Sequence, residues 1–224
     1  MLMRFMRKVR AAILLLKVSG LREFFDQLKR QVYSHHVQVG VEKYLEDASG
    51  KPVESKTKYV LQVGSKEDME KAFRQITTES KESVQQLLNR EWLYQSGFGK
   101  WHVAKTCDTN ELCFLQAVIG PEDNRLLDDG FKGWFPRLQK DEILLEGAYA
   151  FEKYRGGGLC HAVASDIKGI YRAQGFQRMI TYIRKDNVSS IKASEKTGFK
   201  KFEEIPVTKI VFFTIYHKRR PVRD

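Results

Sequence analysis

The sequence predicts an α/β protein whose central sheet mixes strand directions. Residues 101–106 and 112–119 are two apolar strand-like runs joined by a short polar turn, which is typical of an antiparallel hairpin. Farther along, predicted strands at 143–151 and 177–184 are separated by a helix, and such crossover helices are typical of parallel strands. Hairpins and crossovers in one chain together predict a mixed α/β sheet.

The other elements follow from local patterns. Valines at alternate positions predict a strand at 37–45, which we place outside the main run of elements. Ser65, followed by two acidic residues, is typical of a helix N-cap. The main run is predicted as strand 57–63, helices 65–76 and 81–94, strands 101–106 and 112–119, a loop or short helix at 121–136, strand 143–151, helix 159–173, strand 177–184, helix 189–197, and strands 199–204 and 207–216.

Charge and cysteine content narrow the functional classes. The 224 residues carry a formal charge of +11, concentrated in residues 1–34 and in the tail 218–224. A basic balance favours anionic partners such as a phosphorylated cofactor, nucleic acid or an anionic membrane. Three scattered cysteines without metal-ligand spacing predict a reducing, cytoplasmic location and no metal site.

The N-terminal segment is predicted to be helical over residues 3–33, with basic residues between apolar ones. Two interpretations stay open: the helix packs on the body or on the second subunit of a homodimer, or it lies on the anionic inner face of a membrane. Its apolar run at 11–16 is far shorter than the ~20 residues that span a bilayer.

A glycine-rich turn after strand 143–151 is the first candidate site. It reads Arg155-Gly156-Gly157-Gly158-Leu159-Cys160. Glycines let the main chain curl tightly, and the helix that follows presents free N–H groups at the positive end of its dipole. The turn predicts a pyrophosphate cradle, with a tight turn that binds nothing as the alternative. Its spacing fits neither the Walker nor the dinucleotide-binding fingerprint.

A second motif follows one strand later. It reads Asn187-x-x-Ser190, then Glu195-Lys196-x-Gly198-Phe199. Together with Arg155-x-x-Gly158-x-Cys160, it resembles the two cofactor motifs of the GNAT superfamily of N-acyltransferases. The resemblance covers about residues 59–216 and includes the strand order. It implies a GNAT-like sheet that splays open, and acetyl-coenzyme A (acetyl-CoA) as the acyl donor.

The resemblance implies roles for the matched positions. The pyrophosphate would be held by Arg155 and by the main chain of Gly156, Gly157, Gly158, Leu159 and Cys160. The pantetheine arm would pair, like an added strand, with the main chain of Tyr149, Ala150 and Phe151. Asn187 would bind the arm or order the splay. Lys196 either reaches the adenosine phosphates or is a solvated helix charge.

The chain departs from the family pattern at three places. Cys160 stands where Gly or Ala is usual, and Glu152 stands where Pro is frequent. Ser194 occupies the position of the tyrosine that protonates the departing thiolate, so the acid is Ser194, a tyrosine elsewhere, or water. For the base we favour Glu146 over Glu142 and Asp129, and a main-chain N–H near Ala150 would stabilise the oxyanion.

These observations predict an N-acyltransferase that acetylates a primary amine by direct attack in a ternary complex. The favoured acceptor is an amino sugar, free or nucleotide-linked, lying against residues 121–141 with their aromatic and acidic side chains; a small amine, an aminoglycoside and a protein N-terminus stay open. The alternatives are a nucleic-acid or ribosome-binding module and a non-catalytic sensor of acyl-CoA. The predicted organisation is a basic helix and extra strand at 1–55, the GNAT domain at 56–217 and a basic tail at 218–224.

Overall fold

The computed structural model describes residues 33–47, 54–75, 79–131, 134–210 and 213–222. The predicted N-terminal helix and its membrane contact fall outside this part of the chain, except that Tyr33 begins the first strand. Within the described ranges, no helix combines the length and the apolar character needed to cross a bilayer.

One mixed sheet of nine strands organises the described residues. The strands are β1 (Tyr33–Tyr44), β2 (Tyr59–Val63), β3 (Lys100–Thr106), β4 (Leu112–Ile119), β5 (Glu142–Ala150), β6 (Arg178–Arg184), β7 (Lys200–Ile210), β8 (Phe213–Tyr216) and β9 (Arg220–Pro221). Their order across the sheet is β2-β3-β4-β5-β6-β1-β7-β8, with β9 beside β7. The predicted β3–β4 hairpin is confirmed as an antiparallel pair.

Among the described residues, five α-helices cover the two faces of this sheet. They are α1 (Lys66–Arg74), α2 (Lys81–Gln95), α3 (Asn124–Phe131), α4 (Leu159–Ala173) and α5 (Val188–Lys196). Apolar side chains of α1, α2 and α3 form one buried cluster, which we call the α2-side core. Those of α4 and α5 join a second cluster on the other face, the α4-side core. The predicted N-cap is confirmed, because Ser65 Oγ accepts a hydrogen bond from the Asp68 N–H at 3.1 Å.

The first strand lies inside the sheet and not outside it. β1 pairs antiparallel with β6 on one side, as at Val41↔Thr181, and with β7 on the other, as at Val39↔Glu204. Val39 and Val41 are 1% and 0% exposed. The prediction that this strand stands apart from the main run is therefore wrong. A period-two pattern shows that a strand exists but does not specify its neighbours.

The last predicted strand pair also needs correction. The sequence places a strand break at residues 205–206, whereas β7 runs through Pro206 to Ile210. The Pro206 carbonyl accepts from the His217 N–H at 3.0 Å, so its nitrogen also faces the C-terminal segment and not β1. The missing N–H of proline therefore costs no hydrogen bond in the β1–β7 ladder.

The sheet opens between β5 and β6, its parallel pair. The register runs from Glu142↔Arg178 to Leu145↔Thr181 and stops there. Beyond this point β5 continues only beside β4, as far as Ala150, and β6 continues only beside β1, as far as Arg184. The two strands thus separate like the arms of a V, which confirms the predicted splay.

Candidate active site

The turn that follows β5 leads directly into α4 and places its glycines at the helix start. Gly156 has φ +75° and Gly158, the N-cap of α4, has φ +80°. Residues with a Cβ rarely adopt this left-handed region, so the turn requires glycine at these two positions. The main chain can thereby curl tightly before the helix begins.

Five successive N–H groups, from Gly156 to Cys160, have no hydrogen-bond acceptor among the described residues. The helical ladder starts only afterwards, where the His161 and Ala162 N–H groups both bond to the Gly158 carbonyl at 3.1 Å. Free N–H groups at the positive end of a 15-residue helix suit a phosphate or another anion. We call this group of main-chain donors the N–H cradle.

Residues before β2 help to shape the cradle. The Lys56 N–H bonds to the Gly157 carbonyl at 2.8 Å and fixes the segment 54–58 beside the turn. A Cβ added at Gly157 would lie 3.3 Å from the Lys56 Cβ, so this glycine also permits a close approach of two main chains. No local pattern predicts this contact, because it joins residues 101 positions apart.

Ala150 is the residue of β5 that turns its main chain into the opening of the sheet. The Phe151 N–H bonds to the Cys113 carbonyl of β4, and Tyr149 is paired with Leu115. Since bonded and non-bonded pairs alternate along an antiparallel ladder, the N–H and carbonyl of Ala150 point away from β4. The Arg155 Nε donates to that carbonyl at 2.9 Å, which is consistent with this direction.

The guanidinium of Arg155 does not reach the cradle. Besides Ala150 O, it donates to Ser83 Oγ at 2.9 Å and to Glu152 Oε1 at 3.4 Å, both near the start of α2. Its Cζ lies 5.2 Å from the centre of the Tyr149 ring. Of the residues predicted to hold pyrophosphate, Arg155 is therefore the one whose side chain faces elsewhere.

Glu152, which replaces a frequent proline of the family pattern, joins the turn to α2. Its Oε1 accepts from the Ser80 N–H at 3.2 Å, from Ser83 Oγ at 2.5 Å and from Ser80 Oγ. The hydrogen bonds from Ser80 and then Ser83 hold the pKa of Glu152 below its usual value. The sequence marks Glu152 only as a departure, although Ser80 before a helix is an ordinary capping signal.

Glu146 lies at the point where the sheet opens, next to a β-bulge. Gly147 and Ala148 together oppose Gln116 of β4, and Gly147 has φ +67°. Glu146 Oε2 accepts from the Gly147 N–H at 3.2 Å. Burial raises the pKa of Glu146, and the nearby charge of Arg90 partly offsets this effect. A carboxyl with a raised pKa in such a position suits proton transfer near neutral pH.

The two weaker candidates for the base are engaged elsewhere. Glu142 forms an ion pair with Arg178 at the closed end of the β5–β6 pair, and its Oε2 accepts from the Gln139 N–H at 2.8 Å. Asp129 is exposed on α3, 4.0 Å from Arg125. Neither position offers the partial burial at the opening that distinguishes Glu146.

The second motif forms α5 and its cap. Asn187 Oδ1 accepts from the Ser190 N–H at 3.2 Å and from Ser189 Oγ at 3.0 Å, so Asn187 is the N-cap of this helix. Ser194 is buried on α5, with 7% exposed. Lys196 is exposed in the last turn of the same helix, and Cys160 is exposed in the first turn of α4. Asn187 therefore orders the segment that follows β6.

The aromatic residues predicted to line an acceptor pocket lie on the α2 side of the sheet. Phe131 packs against Phe135 with ring centroids 4.8 Å apart. Trp134 stacks on Tyr216 with ring centroids 5.7 Å apart and an angle of 5° between the ring planes. Trp134 Nε1 is buried without a hydrogen-bond partner in the described structure. The described residues contain no group of three His, Cys, Asp or Glu side chains placed to hold a metal ion.

Comparison with known proteins identifies the fold. A GCN5-related N-acetyltransferase from Sphaerobacter thermophilus has a TM-score of 0.52 at 10% identity, over 92% of this chain and 58% of that one. The GCN5-related glucosamine N-acetyltransferase region of a fungal multi-domain GH3 β-N-acetylglucosaminidase has a TM-score of 0.54 at 10% identity, over 88% of this chain and 23% of that one. A Drosophila protein has a TM-score of 0.52 at 17% identity, over 84% of this chain and 58% of that one.

The chain thus spans 58% of the length of two of these proteins and 23% of the third. No protein-family model matches the sequence, and no curated protein matches it. At identities of 10–17% the likeness concerns the fold. With its splayed sheet and its glycine turn before α4, the chain has the fold of the GCN5-related N-acetyltransferases, as its two motifs predict.

Proposed function

We propose that the protein is an N-acyltransferase that transfers an acetyl group from acetyl-CoA to a primary amine. One observation carries the proposal: the N–H cradle lies at the end of the strand that borders the opening between β5 and β6. An anion site beside an open strand edge suits a donor with a pyrophosphate and an amide-bearing arm.

The N–H cradle and the open edge of β5 would bind different parts of acetyl-CoA. The N–H groups from Gly156 to Cys160 would hold the pyrophosphate. The N–H and carbonyl of Ala150 would pair with the arm, once Arg155 releases the carbonyl to which its Nε donates. Lys196, exposed at the end of α5, remains a candidate for the adenosine phosphates.

Glu146 is the proposed base. The acyl donor supplies a thioester carbonyl, and the amine must lose a proton as it attacks that carbonyl. The raised pKa of Glu146 makes its carboxylate a stronger base than an ordinary surface carboxylate. A main-chain N–H of β5 near Ala150 would stabilise the negative charge that develops on the oxygen.

For the acceptor we propose an amino sugar, free or nucleotide-linked. The fungal region with the same fold is described as a glucosamine N-acetyltransferase, which makes this the first class to test. The net charge of +11 favours an acceptor that carries phosphate. The same charge supports the proposed contact of residues 1–33 with an anionic membrane.

The test is a screen for thiol release from acetyl-CoA over a panel of primary amines, with mass spectrometry of the products. We expect amine-dependent release and an acetylated amino sugar. Acetyl-CoA should also raise the melting temperature, since a ligand at 100 times its Kd stabilises the native state by about 2.7 kcal/mol.

Two results would replace the proposal. If the protein shows neither a thermal shift at millimolar acetyl-CoA nor amine-dependent release, but binds RNA with a steep salt dependence, it is a nucleic-acid-binding module. If acetyl-CoA shifts the melting temperature but no amine is acetylated, it is an acyl-CoA sensor. Binding of the full-length protein, but not of a chain lacking residues 1–33, to anionic vesicles tests the membrane contact.

A further inference from the structure

The β-bulge at Gly147 and Ala148 decides which side chains of β5 share a face with Glu146. Leu144 and Tyr149 both belong to the α2-side core, although they stand five positions apart. Side chains alternate along a regular strand, so two residues on one face are separated by an even number of positions. The extra residue of the bulge therefore places Glu146 and Tyr149 next to each other on the α2 side.

Gln116 holds this bulge from β4. The residue is 3% exposed, and its Nε2 donates to the Glu146 carbonyl at 2.7 Å and to the Ala117 carbonyl at 3.1 Å. One side-chain amide thus bridges a carbonyl of each strand at the point where the β4–β5 register shifts. A buried donor that lost both acceptors would carry the cost of its desolvation, so these hydrogen bonds favour the bulged arrangement.

Arg90 holds the bulge from α2. Its Nη2 donates to the Ala148 carbonyl at 2.8 Å, and its Nη1 donates to the Gln86 carbonyl of its own helix at 2.9 Å. Its Cζ lies 5.7 Å from the centre of the Tyr149 ring. The guanidinium therefore lies beside the residue that neighbours Glu146 on the α2 side.

Arg90 and Glu146 also compensate each other's charge. Arg90 Nε is buried without a hydrogen-bond partner in the described structure. Burial lowers the pKa of Arg90, and the charge of Glu146 is the largest effect that opposes it. Burial likewise raises the pKa of Glu146, and the charge of Arg90 is the largest effect that opposes this rise. Each group thus favours the charged form of the other.

Other titratable groups lie on the same side of the opening. They are Glu79, Glu91, Tyr149, Arg155 and Tyr182. The two tyrosine hydroxyls donate to carboxylates, Tyr149 to Glu79 and Tyr182 to Glu203, each at 2.5 Å. Burial raises the pKa of both tyrosines, so they are uncharged at neutral pH. Among the described residues, the charge that acts on the proposed base is the guanidinium from α2.

We propose that Arg90 and Gln116 are positioning residues of the transfer, which hold the bulge that keeps Glu146 at the opening, and that Arg90 supplies the positive charge beside its carboxylate. This inference rests on the proposed acyltransferase function. The amine nitrogen forms a bond to the thioester carbon while its proton passes to Glu146. The carbon–sulfur bond then breaks, the thiolate takes a proton from solvent, and Glu146 returns its proton to solvent.

The first measurement is the pH dependence of kcat/KM with acetyl-CoA and the best acceptor of the amine screen. The limb that belongs to the base is the one that Glu146→Gln removes. Arg90→Met should raise the pKa of this limb by about one unit, a tenfold change in the equilibrium, so the rate falls near neutral pH and recovers in base. Arg90→Lys keeps the charge and should shift the limb less. A merely structural loss would lower the rate at every pH and leave the pKa in place.

The second variant, Gln116→Met, keeps the length of the side chain and removes the donor to the Glu146 carbonyl. It should lower kcat roughly 10- to 100-fold at every pH, because a small displacement of a positioned group has an effect of this size. The pKa of the limb should stay near that of the wild type, since the charge of Arg90 remains. A Gln116→Met protein with a lowered Tm and the wild-type kcat would overturn the positioning role of Gln116.

A double-mutant cycle in Tm needs neither an acceptor nor activity. Without Arg90, ionised Glu146 is more costly to the fold, so Glu146→Gln should raise Tm more in the Arg90→Met background than in the wild type. At a pH above both pKa values the extra rise should be about 3–5 °C, because one pKa unit corresponds to about 1.4 kcal/mol. Additive effects would overturn the coupling of Arg90 to Glu146 and leave the acyltransferase function intact.

The matched control is Arg74→Met, which removes an exposed arginine from the last turn of α1. It should change neither the pH profile nor the effect of Glu146→Gln on Tm. Arg90→Gln is the second neutral variant if Arg90→Met fails to fold. An active wild type whose limb is unmoved in Arg90→Met overturns the role of Arg90. A wild type that neither binds coenzyme A nor acetylates an amine refutes the proposed function itself, and the cycle still decides whether Arg90 and Glu146 are coupled.

Discussion

Glu152 Oε1 lies 3.2 Å from the main-chain nitrogen of Ser80 and accepts its hydrogen bond. Ser80 is the N-cap of α2, and its own side chain makes no capping bond within that helix. The carboxylate of a residue 72 positions later therefore does part of the work of a cap. The relationship links the turn before the N–H cradle to the helix that covers the other face.

Replacing Glu152 by Ala should lower the free energy of unfolding by about 1 kcal/mol, the usual effect of losing a helix cap. For a chain of this length that corresponds to a fall in Tm of roughly 2–4 °C. Glu152→Gln keeps one acceptor oxygen and should lose less. A Tm identical to wild type in Glu152→Ala would mean that solvent replaces the carboxylate without cost.

The same contact should depend on pH. The folded-state pKa of Glu152 is depressed, so its stabilisation is present above the unfolded-state pKa and is lost as the pH falls through the folded-state value. The difference in Tm between wild type and Glu152→Ala should therefore shrink in acid. Thermal melts at neutral pH and at pH near 3 measure it.

Glu146→Gln should have opposite effects on activity and stability. Loss of the base should lower kcat by about 100-fold or more. The folded-state pKa of Glu146 is raised, so its ionisation destabilises the fold as the pH rises above the unfolded-state value. Glu146→Gln should thus raise Tm at pH 7 and not in acid. Glu70→Gln, at an exposed position on α1, should change neither quantity.

Gly158→Glu should abolish the rise in Tm that acetyl-CoA causes, because it places bulk and negative charge at the N–H cradle. The comparison is made with each variant's own ligand-free Tm, since the left-handed conformation of Gly158 penalises any side chain. Gly169→Glu is the matched control, with the same charge on the same helix and open space around the added Cβ. An equal shift in both variants would place the donor elsewhere.

Gly147→Ala should destabilise the protein by about 1–3 kcal/mol, through backbone strain and overpacking together. The added Cβ would lie 3.0 Å from Trp101 and 3.2 Å from Leu93, at φ +67°. Gly175→Ala has a similar φ of +91° without any atom within 4 Å, so it isolates the strain from the crowding. Equal losses of Tm would show that crowding at the bulge contributes nothing.

Local patterns predicted the elements around the cradle well. The predicted helix at 159–173 coincides with α4, because the glycine turn and the apolar periodicity are both contained in that stretch. The splay between β5 and β6 was implied by the resemblance of the two motifs to those of the GNAT superfamily. Features that depend on neighbouring positions in the chain were therefore accessible from the sequence alone.

Long-range relationships were not accessible in this way. β1 lies between β6 and β7, which come more than 130 positions later in the chain. The alternating valines of β1 predict a strand but do not specify which strands it pairs with. Glu203 and Arg219 meet Tyr182 through hydrogen bonds that span 21 and 37 positions of the chain. The aromatic stack of Trp134 on Tyr216 has the same origin.

The central position of β1 has a consequence for how the chain folds as it is synthesised. His35 on β1 contacts Thr208 on β7, 173 residues later. β1 must therefore wait until β7 has been synthesised before both of its edges are paired. Such non-local pairing slows folding and prolongs the exposure of an apolar strand, so we expect slow refolding and a strong benefit from chaperones.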